Sequence, residues 1–377
     1  MNRRRVWAMT RKEFLHVLRD SRSLAMAIAI PILLLILFGY ALTLDVDQVP
    51  LKVWDQSRTP DSRRFLSRFS GSRYFQLRDD ANNYRELERA IDTRETLMAM
   101  VIPRDFAERL RAGRSVSVQL IVDGSDSMTA TIALGYAEAA AMLYSQSLAL
   151  EKMQRAGGRT LGLPLELRPR VWFNSELQSR NFIIPGLIAV IMMVIAALLT
   201  SLTVAREWER GTMEQLISTP VQGRELILGK LAPYFVIGML DVTLAVVMGK
   251  YLFDVPLRGS VALVFLMSGV FLAGALGMGL LISILTKSQL LANQLAMVLT
   301  FLPAFLLSGF AFPIANMPKL IQAVTYLVPA RYFISLLKGI YLKGIGLHVL
   351  WLEAVLLTVF GMIILAMAER KFKKKLE

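Results

Sequence analysis

Cysteine is absent from the 377 residues of this chain, which excludes disulfide bonds, thiol nucleophiles and cysteine-ligated metal. Histidine is nearly absent as well: the two histidines, His16 and His348, argue against a histidine-based zinc site. A phosphate-binding loop of the Gly-x-x-x-x-Gly-Lys-Ser/Thr type is also missing. The nearest string, 223–230, has five residues between its glycines and is followed by Leu231 instead of a hydroxyl residue. The chain therefore lacks that kind of ATP-hydrolysing site.

Acidic residues are fewer than basic ones, and the net charge is +14. The excess is unevenly placed, because residues 45–180 contain 20 basic and 18 acidic residues and so carry little of it. The chain is 55% hydrophobic, with a mean hydropathy of +0.49. Basic residues beside long apolar segments indicate membrane topology and contact with lipid headgroups, and they argue against a nucleic-acid partner.

Six segments are long and apolar enough to cross a hydrocarbon core of about 30 Å as helices. They are 23–44, 181–205, 231–253, 259–285, 290–312 and 347–368. The third contains Asp241, the one acid deep within a span. We therefore predict a six-span α-helical membrane protein.

The orientation follows from the basic flanks, 1–22 before the first span and 369–377 after the last. An even number of spans puts both termini on one side, and the positive-inside rule makes that side cytoplasmic. The loop 206–230 is then cytoplasmic, whereas 45–180 and 313–346 are outside. The first span is long for a cleaved signal peptide and is followed by no clear cleavage site, so we interpret it as a retained anchor.

The large outer segment, 45–180, is predicted to be an α/β domain. Short β-rich runs at 51–54, 97–102 and 117–122 alternate with helical patterns, and a further strand is expected at 166–173. The helices are predicted at 61–69, 83–92, 104–112 and, longest, 128–155. Nothing in this segment resembles a catalytic constellation, so we interpret it as an interaction module.

The loop between the second and third spans has the most informative pattern. Charges of alternating sign leave the span directly, a glycine interrupts the chain, and a short amphipathic helix follows that Pro220 closes. A cytoplasmic partner can bind such a helix and, through it, displace the membrane domain. Spacing alone is equally compatible with a solvated loop. The charged and flexible positions are Arg206, Glu207, Glu209, Arg210, Gly211, Thr212 and Glu214.

The stretch 204–220 resembles the loop of ABC-2 type permeases, in the drug- and small-molecule-exporter branch with a large extracytoplasmic domain. Further matches follow in order along the chain, so that the resemblance covers nearly all of it. They are RKE at 11–13, RD at 19–20, IP at 30–31, FGY at 38–40, NFIIPG at 181–186, LGMG at 276–279, LSGF at 307–310 and PARYF at 329–333.

The resemblance implies that the loop helix is a coupling helix that docks in a cleft of a separate ABC ATPase. The seven loop residues named above would form that interface, with ATP and magnesium bound by the ATPase and no cofactor bound by this chain. The resemblance also implies an amphipathic interface helix within 1–22. Its apolar side would comprise Trp7, Phe14, Leu15 and Leu18, and its polar side Arg11, Lys12 and Glu13, facing water or the ATPase.

Other positions are candidates for the transport pathway. Asp241 is costly inside a membrane and is expected to be functional or structural with about equal weight. The segment from Gly309 onward resembles the family's re-entrant stretch, which would place Pro329 and Arg331 near an outer gate. Small residues spaced by four, such as Ala275 and Gly279, predict close helix packing, either within one subunit or between two.

The sequence thus favours the permease subunit of an ATP-driven exporter for hydrophobic or amphipathic small molecules, in the bacterial cytoplasmic membrane. Its expected partners are an ABC ATPase, a second permease subunit (identical or related), membrane lipid and a periplasmic adaptor. One alternative is a non-transporting membrane anchor or sensor with an outer binding domain. Another is a carrier driven by protons through Asp241.

Overall fold

A computed structural model of the chain describes residues 2–41, 47–155, 173–174 and 178–372. Its helices and strands follow one another in the order α1 (Arg3–Arg19), α2 (Ser21–Ala41), β1 (Val49–Asp55), α3 (Pro60–Ser70), β2 (Phe75–Leu77), α4 (Tyr84–Asp92), β3 (Met98–Ile102), α5 (Phe106–Arg111), β4 (Gln119–Val122), α6 (Ser127–Arg155), α7 (Ser179–Glu209), α8 (Thr212–Ser218), α9 (Gly223–Tyr251), α10 (Val261–Thr286), α11 (Gln289–Ala296), α12 (Leu302–Leu306), α13 (Lys319–Thr325), α14 (Pro329–Lys338) and α15 (Leu347–Lys371). They form two compact units, one of Met1–Thr43 with Arg170–Glu377 and one of Leu44–Pro169.

In the described part of the smaller unit, helices cover both faces of a four-stranded sheet. The strand order is β2-β1-β3-β4; β1 runs parallel to β2 and β3, and β4 is antiparallel to β3. All five residues of β3 are buried, as expected for a strand covered on both sides. Phe65 of α3 and Ala137 of α6 pack on one face of the sheet, and Leu87 of α4 packs on the other.

Most elements predicted for this unit are present, at slightly different bounds. One strand was not predicted: the three-residue β2, which pairs with the start of β1 and is too short to give a sequence pattern. The expected strand at 166–173 lies almost wholly outside the described residues. An α/β unit is thus confirmed.

The larger unit is a helical bundle built around α7. In the most apolar stretch of α7, 78% of the residues are buried, against 17% in α15. Thr200 donates a hydrogen bond to the carbonyl oxygen of Leu276 (2.9 Å), and Ser283 Oγ accepts from the backbone N–H of Val204 (3.0 Å). Both bonds join α7 to α10 at buried positions, so these two helices form the centre of the bundle.

The small residues of α10 pack within this chain. A Cβ atom added at Gly279 would overlap the carbonyl oxygen of Ala197 in α7, and one added at Gly277 would lie 2.9 Å from Leu365 Cδ2 in α15. Of the two interpretations of the small-residue spacing, the structure therefore supports packing inside one subunit at these two glycines.

Among the described residues, five helical stretches are long and apolar enough to cross a membrane. They are α7, α9, α10, the run Gln289–Leu306 and α15, and they match the second to sixth predicted spans. The run Gln289–Leu306 includes a π-helical stretch, Met297–Phe301. It ends six residues before the predicted end, because the chain turns there and Gly309 adopts a positive φ of 81°.

The first predicted span is helical in its described part, α2, whose apolar stretch is Ala27–Ala41; residues 42–46 lie outside the described residues. The segments Lys319–Thr325 and Pro329–Lys343 form a pair bent by 84°. Such a pair is either a sixth, broken span or a re-entrant segment like the one that the resemblance implies. A mostly helical chain with five to six candidate spans and a small α/β unit is therefore confirmed.

Gly279→Ala should destabilise the bundle, because the added methyl group has no space between α10 and α7. We expect a loss of about 1–3 kcal/mol, measured as a lower thermal midpoint of the purified protein in detergent. Gly269→Ala is the matched control in the same helix, since a Cβ there would lie an ordinary 3.5 Å from Phe235. Equal midpoints for the two variants would contradict the α7–α10 contact.

Candidate functional site

The segment that follows α7 forms a short exposed helix. Helix α7 continues past its apolar run to Glu209, and the chain then turns at Gly211, whose φ of +70° favours glycine. Helix α8 begins at the next residue and ends before Pro220. In this helix the Met213 side chain is buried, whereas Glu214 is exposed. The predicted loop geometry, a break and then a short helix, is present.

The seven predicted loop residues do not share one environment. Glu209, Arg210, Gly211, Thr212 and Glu214 are exposed, Arg206 is partly buried, and Glu207 is only 9% exposed. The exposed set is available to a partner. Glu207 instead points into the bundle, so its role differs from that of its neighbours.

Glu207 belongs to a buried ionic network around Lys230. The Lys230 ammonium lies 3.0 Å from Glu13 Oε1 and 3.0 Å from Glu207 Oε2, and the Lys230 side chain is 1% exposed. Lys12 Nζ lies 3.3 Å from the other oxygen of Glu207. The ammonium groups of Lys12 and Lys230 therefore balance the carboxylates of Glu13 and Glu207. Together they join α1, the end of α7 and the start of α9.

A network of this kind fixes geometry more than it adds stability. Removing charges from water is costly, and their attraction offsets that cost only when every partner is in place. Lys230 is 1% exposed and lies between Glu13 and Glu207. Moving one of the three helices alone would therefore leave a buried charge unpaired. The three helices are therefore expected to move together.

The position of Glu13 differs from the sequence prediction. We expected it to face water or a partner, but it is 4% exposed and faces α9. Met9, Glu13 and Val17 are the buried residues of α1, four apart along one face. That spacing was visible in the sequence, as was the lone lysine ahead of the third span, but neither shows which charges meet.

Helix α1 is also fixed at its beginning. Glu225 Oε1 accepts from the backbone N–H of Asn2 (2.6 Å), and the Arg5 guanidinium donates to the carbonyl oxygen of Pro220 (2.5 Å). Gly229 lets the two helices approach closely, because a Cβ there would lie 2.5 Å from Met9 Cβ. Helix α1 thus packs along the first turns of α9.

The opposite side of α1 is open and largely apolar. Trp7, Leu15 and Leu18 are 69%, 44% and 51% exposed, and Phe14 is 39% exposed. Arg11 is exposed on the same side of the helix. An amphipathic helix with this face uncovered is suited to the headgroup region of a membrane.

The turn between α10 and α11 is held against the end of α7. Glu209 accepts a hydrogen bond from the backbone N–H of Gln289 (2.7 Å) and another from its side chain. The Lys287 ammonium lies 4.7 Å from the centre of the Trp208 ring. The contact of Gln289 with Glu209 could not be predicted from the sequence, since a glutamine in a short turn carries no pattern.

The predicted gate residues lie at the bend between α13 and α14. Pro329 is the first residue of α14, where a proline is tolerated. The Arg331 guanidinium lies 3.8 Å from the centre of the Tyr326 ring and donates to Thr325 Oγ1. Arg331 therefore stabilises the bend between α13 and α14. It does not line the cavity that contains Asp241.

Asp241 lies within α9 and is 5% exposed. It lines a narrow cavity between α2, α7, α9 and α10. Across the described part of the chain, no group of three or more His, Cys, Asp or Glu is arranged to hold a metal ion.

Lys230→Met should destabilise the bundle strongly, because it leaves the carboxylates of Glu13 and Glu207 buried without their shared cation. The expected loss is about 3–5 kcal/mol, measured as a lower thermal midpoint. Lys12→Met is the matched control: its side chain is 53% exposed, so about 0–1 kcal/mol is expected. Adding Glu13→Gln and Glu207→Gln to Lys230→Met should restore part of the loss. An unchanged midpoint in Lys230→Met would show that the network has no structural role.

Comparison with known proteins identifies the family of the chain. The family model described as "ABC-2 family transporter protein" matches residues 22–368. The chain is 40% identical over 377 residues to the probable multidrug ABC transporter permease YbhS of Escherichia coli, covering 99% of this chain and 98% of the relative. It is 31% identical to the probable multidrug ABC transporter permease YbhR of the same organism, over 92% of each. It is also 25% identical to the E. coli inner membrane transport permease YhhJ, over 86% of this chain and 85% of the relative. This chain therefore belongs to the ABC-2 family of transporter proteins.

Proposed function

We propose that the chain is the permease subunit of an ATP-driven exporter that moves hydrophobic or amphipathic small molecules out of the bacterial cytoplasm. The observation that carries the proposal is an exposed seven-residue helix, α8, placed directly beside the buried network of Lys230. The names of the relatives, two of them probable multidrug ABC transporter permeases, support the class of substrate.

The energy source is a separate ABC ATPase, which binds ATP and magnesium. The sequence contains no phosphate-binding loop of its own. Helix α8 and the exposed residues around it form the contact surface: Glu209, Arg210, Gly211, Thr212 and Glu214. Arg206 and Glu207 lie deeper and act on the permease side of the contact.

Movement of α8 is transmitted to the rest of the bundle through the ionic network. A push on α8 reaches Glu207 through the turn at Gly211, and Lys230 links Glu207 to α9 and, through Glu13, to α1. Because α7 is the central helix of the bundle, its displacement changes the packing of all its neighbours. Closure of the ATPase thus changes access to the transport pathway.

The proposed topology puts both termini in the cytoplasm, the α/β unit outside and α1 along the inner membrane surface. The basic flanks at 1–22 and 369–377 support it, as does the uncovered apolar face of α1. The permease works as a dimer with an identical or related subunit, in contact with lipid. A periplasmic adaptor is the proposed partner of the α/β unit.

Glu214→Lys should abolish copurification of the ATPase, because it reverses an exposed charge at the proposed contact. Glu209→Lys should abolish it as well, because it reverses a second charge at the contact and also releases Gln289. Affinity purification of the tagged permease from cells that coexpress the ATPase measures the effect. Glu88→Lys, the same change on an exposed position of α4, is the control and should keep the ATPase bound. Undiminished binding in both loop variants would show that the ATPase does not dock at α8.

The topology can be tested directly because the chain has no cysteine. In spheroplasts, a membrane-impermeant maleimide should label Ser70→Cys in α3, whereas Ser218→Cys in α8 should react only after the membrane is permeabilised. Both serines are exposed. The reverse pattern would invert the proposed orientation, and equal labelling of both in closed spheroplasts would contradict a membrane between them.

A further inference from the structure

Asp241 is buried without a complete set of partners. Its Oδ1 atom has no hydrogen-bond partner among the described residues, although the residue is 5% exposed. It is the sole charged residue among those described around its cavity, where apart from Tyr234 its neighbours are apolar. An isolated carboxylate in such surroundings is costly unless a positive group or a proton satisfies it.

The cavity beside Asp241 is small in this conformation. Its volume is about 20 Å³, which is enough for about one water molecule. A larger molecule can therefore reach the carboxylate only if neighbouring side chains separate.

A wider cleft adjoins this cavity. It has a volume of about 440 Å³ and lies between α1 and α2 on one side and α7 and α9 on the other. That volume is typical of a small-molecule site. Ile195, Leu199 and Tyr234 line both the cleft and the Asp241 cavity, so only side chains divide the two spaces. Arg206, next to the ionic network, lines the cleft as well.

Tyr234, which lines both spaces, lies on the same helix as Asp241. Tyr234 and Asp241 are seven residues apart on α9, which places them on one face, two turns or about 10 Å apart along the helix axis. Gly238, between them, also lines the cavity, and the Leu272 side chain of α10 packs against it, since a Cβ there would lie 2.9 Å from Leu272 Cδ2. A molecule in the cleft is therefore separated from the carboxylate by two turns of one helix face.

We infer that Asp241 is the charge-recognition residue of a binding site for hydrophobic cations, such as tertiary amines and quaternary ammonium compounds with an apolar group. The apolar part of the ligand occupies the cleft, and its positive group reaches Asp241 when Ile195, Leu199 and Tyr234 move apart. The inference deepens the proposed export function and rests on it only for the outward transport of the bound cation; binding itself needs no ATPase.

Two probes of equal shape test the site. Phenyltrimethylammonium carries a positive charge, and tert-butylbenzene is its uncharged isostere, with carbon in place of nitrogen. The full-length permease in lipid nanodiscs is titrated with each, and thermal stabilisation reports the dissociation constant, after correction with empty nanodiscs. The wild type should bind the cation at least about tenfold more tightly than the neutral probe. Asp241→Asn should bring the ratio to about one.

The control is Asp254→Asn, which removes the same charge from an exposed position just past the same helix and should keep the wild-type ratio. Tert-butylbenzene binding by Asp241→Asn shows that this variant is folded. If it binds neither probe, Asp241→Glu decides, since a retained preference for the cation supports the site and a lost one overturns it. Equal binding of both probes by the wild type, or an unchanged ratio in Asp241→Asn, would refute the site. A wild-type permease that binds no ATPase but keeps its preference for the cation would refute only the export function.

Discussion

The ammonium group of Lys230 joins three helices of the bundle, α1, α7 and α9. It lies 3.0 Å from carboxylate oxygens of two different helices and is almost completely buried. A charge in that position tolerates no loss of either partner, because each separation leaves an uncompensated ion away from water. The contact between α1, α7 and α9 therefore has one arrangement of low free energy, and a displacement of any of these helices is shared by the other two.

The ionic network also determines how a displacement of α8 affects the rest of the bundle. A seven-residue helix forms few contacts of its own and would be a poor lever if the chain before it were flexible. Here the preceding residues are anchored twice, by Glu207 in the network and by Glu209 on Gln289. The same α7 continues into the centre of the bundle, against α10, where Gly279 leaves no free space. Force applied at α8 thus reaches the helices that surround Asp241.

The sequence predicts the elements of this fold better than their contacts. Long uncharged runs, the glycine break at Gly211 and the apolar strand β3 each reflect local chemistry, and each is found near its predicted position. Lys230 and Glu13 pair although they are 217 positions apart in the sequence, and no local pattern encodes this pairing. The inward direction of Glu207 likewise depends on the packing of α7, whereas its neighbours Glu209 and Arg210 remain exposed, as alternating charges suggest.

The central claim is that α1, the end of α7 with α8, and the start of α9 move as one body when the ATPase closes. Spin labels at Arg4→Cys and Ser218→Cys, in an otherwise cysteine-free permease diluted with unlabelled subunits, measure the distance between α1 and α8 by double electron–electron resonance. In the assembled transporter, this distance should be the same with and without bound ATP. A distance that changes by several ångströms on ATP binding would contradict the account, because the network would then not hold the helices together.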